Sequence, residues 1–252
     1  MRIDWGEGDI VYYTGSGEVT HAYAGGVGTY VLTLQGACTR FRFTDGITKL
    51  TRILSPINGI TGITSFIDCF DGCTGLTSIP SGLFDNNPLV NSFANCFDGC
   101  TGLTGGIPSG LFDNNLLVDT FYSTFNYCTG LTSIPSGLFD KNTSATIFRD
   151  CFYNCNKLTS IPSGLFDNNL SVTTFRSCFG NCTSLTGFAP ELWDRVSEPT
   201  GTDCYLNDTL LTNWDDIPET WGGPAVSSSS SIDSSSSSSK DSSSSSSSSS
   251  SF

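Results

Sequence analysis

The chain has 252 residues, a formal net charge of −13 and a pI near 4.1, and its 11 Lys and Arg form no dense run. A nucleic-acid backbone is bound by clustered basic side chains, so nucleic acid is not an expected partner. Neither is membrane insertion of a helix, because no apolar run approaches the roughly 20 residues of a span.

In chain order, Met1-Arg2-Ile3-Asp4-Trp5-Gly6 lacks the apolar core of a signal peptide. That leaves export by another route, assembly into a particle, or a piece of a longer protein. Residues 1–36 read as short strands: Ile10-Val11-Tyr12-Tyr13, His21-Ala22-Tyr23, and a run in which Tyr30, Leu32 and Leu34 alternate with Thr29, Val31 and Thr33, as in a half-buried strand. About three strands alone are marginal in water, so this segment either docks as a cap on the rest of the chain or continues upstream. Residues 37–64 form a degenerate first repeat, since Thr48-Lys49-Leu50-Thr51-Arg52-Ile53 echoes Thr74-Gly75-Leu76-Thr77-Ser78-Ile79 at a shift of 26.

Residues 65–194 repeat openly. Phe66, Phe93, Phe121, Phe148 and Phe175 stand 27, 28, 27 and 27 residues apart, the single 28 arising from the doubled Gly105-Gly106. A fixed period of this size predicts a solenoid whose coils bury a continuous core only by stacking. Val90, Phe93, Cys96, Phe97 and Cys100 follow one stripe of a short helix. The Thr-Gly after the second Cys is read as a left-handed helix stop. Leu-Thr-Ser-Ile extends as a strand to Pro, and Asp-Asn-Asn returns the chain as a turn or cap. The expected fold is an α/β solenoid, a right-handed coil of about 27-residue units, each a short strand, a turn and a short helix. Residues 195–225 read as a final half-repeat and a cap rich in Trp, with Trp214 and Trp221 under a polar shell. From Ser227 to Phe252, 21 of 26 positions are Ser. Such a segment has almost no apolar surface to offset its ordering entropy, so residues 226–252 are expected to be a disordered, flexible spacer.

The words C-F-x-x-C-x-x-L-T-S-I-P and L-F-D at this period resemble the BspA-type leucine-rich repeat proteins, over about residues 38–221. Trp5-Gly6-Glu7-Gly8, His21-Ala22-Tyr23 and Gly28-Thr29-Tyr30-Val31 resemble the second half of a PKD-like β-sandwich, with Glu7 in place of the usual Asp. The two occur together in surface proteins of host-associated bacteria and their phages. The resemblance therefore implies an extracellular, cell-surface or virion-associated protein. Its implied role is adhesion or recognition of a protein or glycan on a host or neighbouring cell. It carries over no catalytic residue, because the family motif is structural.

The residues themselves point the same way. Four Cys pairs share the spacing C-x-x-x-C: Cys69/Cys73, Cys96/Cys100, Cys151/Cys155 and Cys178/Cys182; Cys128 has Thr124 where its mate would stand. Cysteines one coil apart would lie within disulfide range, but each keeps a core position of the repeat. Buried thiol ladders are the preferred reading over disulfides or metal. With these cysteines, Phe93, Phe121, Phe148 and Phe175 make up the expected structural core. His21 is the only histidine, so a Ser–His or Cys–His apparatus would have to use it, yet it sits in a strand word. No carboxylate stands out as a glycosidase pair would. No enzyme activity, cofactor or metal is expected. Thr77, Thr104, Thr132, Thr159 and Thr186 read as a ladder that stabilises the sheet. Ligand binding is expected where the copied repeats differ, and Tyr122, Tyr127, Arg149, Tyr153, Lys157 and Arg176 gather there, residue types favoured at binding hot spots. Unselected variation on a solvated face is the alternative. The expected function is non-enzymatic recognition; a purely structural or assembly module is the first alternative and a glycan-active hydrolase the second.

Overall fold

The computed structural model describes residues 2–4, 10–12, 33–40, 42 and 50–225. The words Trp5-Gly6-Glu7-Gly8, His21-Ala22-Tyr23 and Gly28-Thr29-Tyr30-Val31, and the Ser-rich tail, lie outside the described residues. Strand β1 (Arg2–Asp4) pairs antiparallel with β2 (Ile10–Tyr12) and with β3 (Thr33–Ala37). On its other edge β3 runs parallel to β4 (Ile60–Thr61), with Gly36 opposite Ile60 and Ala37 opposite Thr61. The N-terminal sheet is thus joined to the first coil. The strand expected to finish at Leu34 reaches Ala37, across the expected boundary at 36, because its far edge is already the first rung of the solenoid.

From there one residue per coil forms a parallel bridge to the next: Arg40, Ser65, Ser92, Thr120, Ile147, Thr174 and Thr200 in turn. The residues after each bridge depart from expectation. Among the described residues the stripe Phe93, Cys96, Phe97, Cys100 is not helical. Its alternate amides leave the coil, Phe93, Asn95, Phe97 and Gly99 donating to the carbonyls of Thr120, Tyr122, Thr124 and Asn126. The intervening amides close three-residue turns, Cys96 on Phe93, Asp98 on Asn95 and Cys100 on Phe97. An α-helix needs every amide for the carbonyl four residues back, and half of them are committed to the neighbouring coil. The backbone becomes a string of tight turns with a left-handed residue at every fourth place: Asp68 and Gly72, Asn95 and Gly99, Ser123 and Tyr127, Asp150 and Asn154, Ser177 and Asn181. Asp, Asn and Gly tolerate that conformation best. A turn of four residues puts the same positions inward as a helix does. The apolar stripe therefore could not separate the two.

The Thr-Gly pair also differs from its reading. Gly102 and Gly130 are not left-handed; a Cβ there would collide with the carbonyls of Thr74 and Leu103 in the preceding coil. Their lack of a side chain serves close approach. The Leu-Thr-Ser strand survives as β5 (Gly105–Gly106) and β6 (Leu131–Ser133), paired parallel with a bulge at the doubled glycine. The register opposes Gly105 to Leu131 and Gly106 to Ser133, so the residue left unopposed is Thr132 of β6. Elsewhere it reduces to one threonine per coil, Thr77, Thr104, Thr159 and Thr186 each donating an amide to the Thr one coil back.

The core consists of aromatic columns. Phe70, Phe97, Phe125, Phe152 and Phe179 stack at 5.2–5.5 Å and Tyr205 continues at 5.9 Å. Phe66, Phe93, Phe121, Phe148 and Phe175 form a second stack, and Phe84, Phe112, Phe139 and Phe166 a third. The second and third interleave at about 4.6–5.0 Å, tilted or edge-on, the arrangement ring quadrupoles favour.

Beside them runs an asparagine ladder. The amide Nδ2 of Asn115 donates to the carbonyls of Asn87 and Phe84, that of Asn142 to Asn115 and Phe112, and that of Asn169 to Asn142 and Phe139. The last Asn of each Asp-x-Asn turn is therefore a buried structural group.

Each ladder has its own terminator. The guanidinium of Arg195 donates to the carbonyls of Phe166 and Asn169 and so stands in for the next amide. Gly201 stands where a Phe would continue the second stack, and the ring of Trp221 fills that place. The amides of Asp203 and Tyr205 donate to Thr220 and Trp221, and 3-10 turns at Leu192–Asp194, Trp214–Asp216 and Glu219–Trp221 close the edge. A covered edge does not invite further strands.

Candidate recognition surface

The tight-turn face carries most of the residues in which otherwise copied coils differ. Each coil presents there the residue after the buried Phe and the pair around the second left-handed position. In the first of these columns stand Tyr122, Arg149 and Arg176, one coil (about 4.8 Å) apart. The guanidinium carbon of Arg149 lies 5.6 Å from the Tyr122 ring centroid, a cation–π distance. Its Nε is 3.0 Å from the Asp150 carboxylate, so two partners hold the side chain.

Tyr127 occupies a left-handed position with φ 53°, where other coils place Gly72, Gly99, Asn154 and Asn181. An aromatic residue is uncommon in that conformation and is strained there. Its ring is exposed and meets the edge of Tyr153 at 5.9 Å. Tyr153 in turn lies across Gly180, whose missing side chain leaves the space; a Cβ there would stand 3.2 Å from the ring.

Of the six predicted residues the structure joins Tyr122 with Arg149 and Tyr127 with Tyr153. Arg176 continues the first column as an exposed neighbour. Lys157 is exposed in the turn before Leu158, and among the described residues no contact ties it to the other five.

The same face turns acidic toward the N-terminal coils. Arg40 meets Asp68 at 2.7 Å, Asn95 Nδ2 donates to Asp68 Oδ1 at 3.0 Å, and Asn126 Nδ2 donates to Asp98 Oδ2 at 3.1 Å. Burial pushes the Asp98 carboxyl up to about 6, the nearby charges of Asp71 and Asp150 add to it, and the Asn126 amide opposes. Burial and Asp68 also raise Asp71. Asp71, Asp98 and Asn126 take the same place in successive coils, directly after the buried Phe70, Phe97 and Phe125, and so form one polar row.

All cysteines are free thiols, ten buried and Cys38 partly so. In one column each thiol donates to a Phe carbonyl of the coil before, Cys100 to Phe70, Cys128 to Phe97, Cys155 to Phe125 and Cys182 to Phe152, at 3.0–3.1 Å. In the other column Thr124 Oγ1 donates in the same way to Phe93 at 3.1 Å. Burial raises the thiols of Cys73, Cys96, Cys100, Cys128, Cys151, Cys155, Cys178, Cys182 and Cys204, that of Cys73 to about 12. A thiol rather than a thiolate is the form present near neutral pH, and a thiol is a poor nucleophile and metal ligand. Among the described residues no group of three or more His, Cys, Asp or Glu is placed to hold a metal ion.

Sequence reading missed Asp208. It stands at the Cys position of the final half-repeat, fully buried; aligning Asn207-Asp208-Thr209 with Asn181-Cys182-Thr183 is the signal that would have found it.

No family model matches the chain, and no curated protein matches it. Among solved structures it is similar to a leucine-rich repeat protein from Bacteroides ovatus, at 17% identity and a TM-score of 0.24, covering 70% of this chain and 46% of that one. It is similar to the LRIM1/APL1C complex at 16% identity and a TM-score of 0.22, covering 44% of this chain and 25% of that one. The T. pallidum leucine-rich repeat protein shows 18% identity and a TM-score of 0.19, over 48% of this chain and 76% of that one. At these TM-scores the overlap carries no argument. The solenoid stands on the chain's own ladders.

Proposed function

We propose that this chain is a non-enzymatic recognition protein of BspA type, displayed on a cell surface or a virion, whose solenoid binds a protein or glycan on a host or neighbouring cell. The observation that carries the reading is the tight-turn face of two adjacent coils, where the Arg149 guanidinium lies against the Tyr122 ring and Tyr127 meets the edge of Tyr153. Aromatic rings offer large contact area at small entropic cost, and an Arg beside them adds directed donors. The stacked coils beneath hold these side chains in place, so little ordering remains to be done on binding. The PKD-like words at residues 1–36 support surface display, since such segments accompany these repeats in surface proteins.

The test is a binding screen of the full-length protein against glycans and intact host-type cells, repeated with Arg149→Ala and Tyr122→Ala. Binding that falls at least tenfold in both variants supports the reading. A silent screen, or binding that neither variant changes, overturns it. Labelling of intact cells or purified particles with antibody to the solenoid tests display, and incubation with polysaccharides followed by product analysis tests the absence of hydrolysis.

A further inference from the structure

A second surface lies on the opposite side of the asparagine ladder. In the coils that begin at Asp85, Asp113, Asp140 and Asp167 the chain runs Asp, a polar residue, the ladder Asn, two outward residues, then a buried Val or Ala. Because the Asn amide and the following Val are both pulled inward, the two residues between them must project. Several are large and apolar: Leu89, Leu116, Leu117 and Leu170, with Val196 after Arg195 in the last coil, between 53% and 102% exposed. Aligned exposed aliphatics of this kind mark a contact surface, whereas singly scattered ones do not.

The row is edged by one aspartate per coil, Asp85, Asp113, Asp140, Asp167 and Asp194. In the last coils the two rows meet in one open groove of about 590 Å³, lined by Asp167, Leu170, Asp194, Arg195, Val196 and Ser197. Arg195 keeps its charge in that groove while its donors are taken by the carbonyls of Phe166 and Asn169, so Asp167 and Asp194 outnumber it there two to one. Lys141 is the other base of the row, in the coil whose outward pair is the polar Thr143-Ser144. The apolar row therefore has two halves, and Leu116 and Leu170 stand two coils, about 10 Å, apart. Residues i and i+7 of a helix are separated by about 10.5 Å.

We infer that this face docks a cationic amphipathic helix of a partner protein, its leucines at i and i+7 on Leu116 and Leu170 and its lysines or arginines against the aspartate row. Charge complementarity selects the partner: an apolar row edged by five carboxylates repels an acidic helix and steers a basic one. The face is separate from the Tyr–Arg pair, so it holds or fails independently of that proposal.

The probe is a labelled synthetic helix with Leu at i, i+7 and i+14 and Lys on both flanks, titrated with the full-length protein and followed by fluorescence anisotropy. Saturable binding that weakens several-fold between about 50 and about 300 mM salt is expected, since surface charges are screened over that range. Leu116→Ser with Leu170→Ser is expected to lower affinity at least tenfold, and Asp113→Asn with Asp167→Asn to lower it and flatten the salt dependence. These are exposed side chains, and unchanged thermal melting checks that each variant is folded. Arg149→Ala should leave the titration as it is. The inference is overturned if the probe does not bind, if a Glu-for-Lys version binds as well, if the leucine variant binds undiminished, or if Arg149→Ala abolishes binding.

Discussion

Asp208→Asn is expected to stabilise the C-terminal coils at neutral and mildly alkaline pH, and to do so less and less as pH falls toward 4. Asp208 ends the column in which Cys100, Cys128, Cys155 and Cys182 each donate a thiol proton to a Phe carbonyl. It is fully buried, and neither carboxylate oxygen has a hydrogen-bond partner of good geometry. Burial pushes its pKa from the ordinary 3.8 up to about 8, opposed only by the backbone amide of Cys182, which already donates to Phe179 at 3.0 Å. Cys182, Cys204 and Tyr205, the titratable groups that face it, are themselves held neutral by burial. In the column's last place a neutral acid carries a proton as the thiols before it do; the anion carries none and is left buried without a partner.

The sign comes from proton counting. Between pH 4 and pH 8 the unfolded chain has released the proton that the folded chain keeps, so stability falls as pH rises through that window and this group adds no further slope above it. Raising the carboxyl from 3.8 to about 8, at about 1.4 kcal/mol for each tenfold in proton affinity, puts an upper figure of about 6 kcal/mol on the loss. Asp98, with its carboxyl near 6, contributes a slope of the same sign that is half spent at pH 6 and finished by about pH 7. Between pH 6 and 8 Asp208 is the largest contributor, above the tail of Asp98 and the small slope of the same sign that the buried thiols add as unfolded thiols begin to ionise. Denaturant unfolding of the full-length protein followed by Trp fluorescence is the assay, because Trp193, Trp214 and Trp221 all lie at this end. Wild type should lose about 2–3 kcal/mol between pH 6 and 8, and Asp208→Asn or Asp208→Cys should lose little. An equal slope in the variants, or a variant less stable than wild type at pH 8, refutes the reasoning.

Cys128→Thr should lie within about 1 kcal/mol of the parent, because the hydroxyl can donate to Phe97 as Thr124 does to Phe93, whereas Cys128→Ala removes one of that carbonyl's two donors, leaving the Cys100 amide, and should cost about 0.5–1.5 kcal/mol by denaturation midpoint. Tyr127→Asn should raise stability by up to about 1 kcal/mol by relieving a left-handed aromatic, while weakening whatever the Tyr–Arg face binds. Gly201→Ala drives a methyl into the Trp221 ring and should cost about 1–3 kcal/mol, with a red-shifted Trp emission before the rest of the chain unfolds.

The repeat was legible because stacking imposes it. A coil can bury Phe93 only against Phe66 and Phe121, so the same residue types must recur at one period, and period, inward stripe and cysteine columns can all be read from the letters alone. The candidate surface was legible only as a list. Variation at Tyr122, Tyr127, Arg149, Tyr153, Lys157 and Arg176 shows where packing is silent, and linear spacing cannot say that Tyr122 meets Arg149 while Lys157 stands apart.

Inward-facing positions and outward-facing ones, the elongated core and the need for end caps were determined by the sequence on its own, since they depend only on which side chains must leave water. Whether the stripe would be a helix was decided by tertiary structure. Its amides can satisfy their own coil or the neighbouring one, both choices turn the same residues inward, and only the presence of a coil at ladder distance settles the choice for the neighbour. The terminators belong to the same class. Arg195, Gly201 with Trp221, and Asp208 look like lapses in a repeat until the ends of three ladders are seen to fall on them.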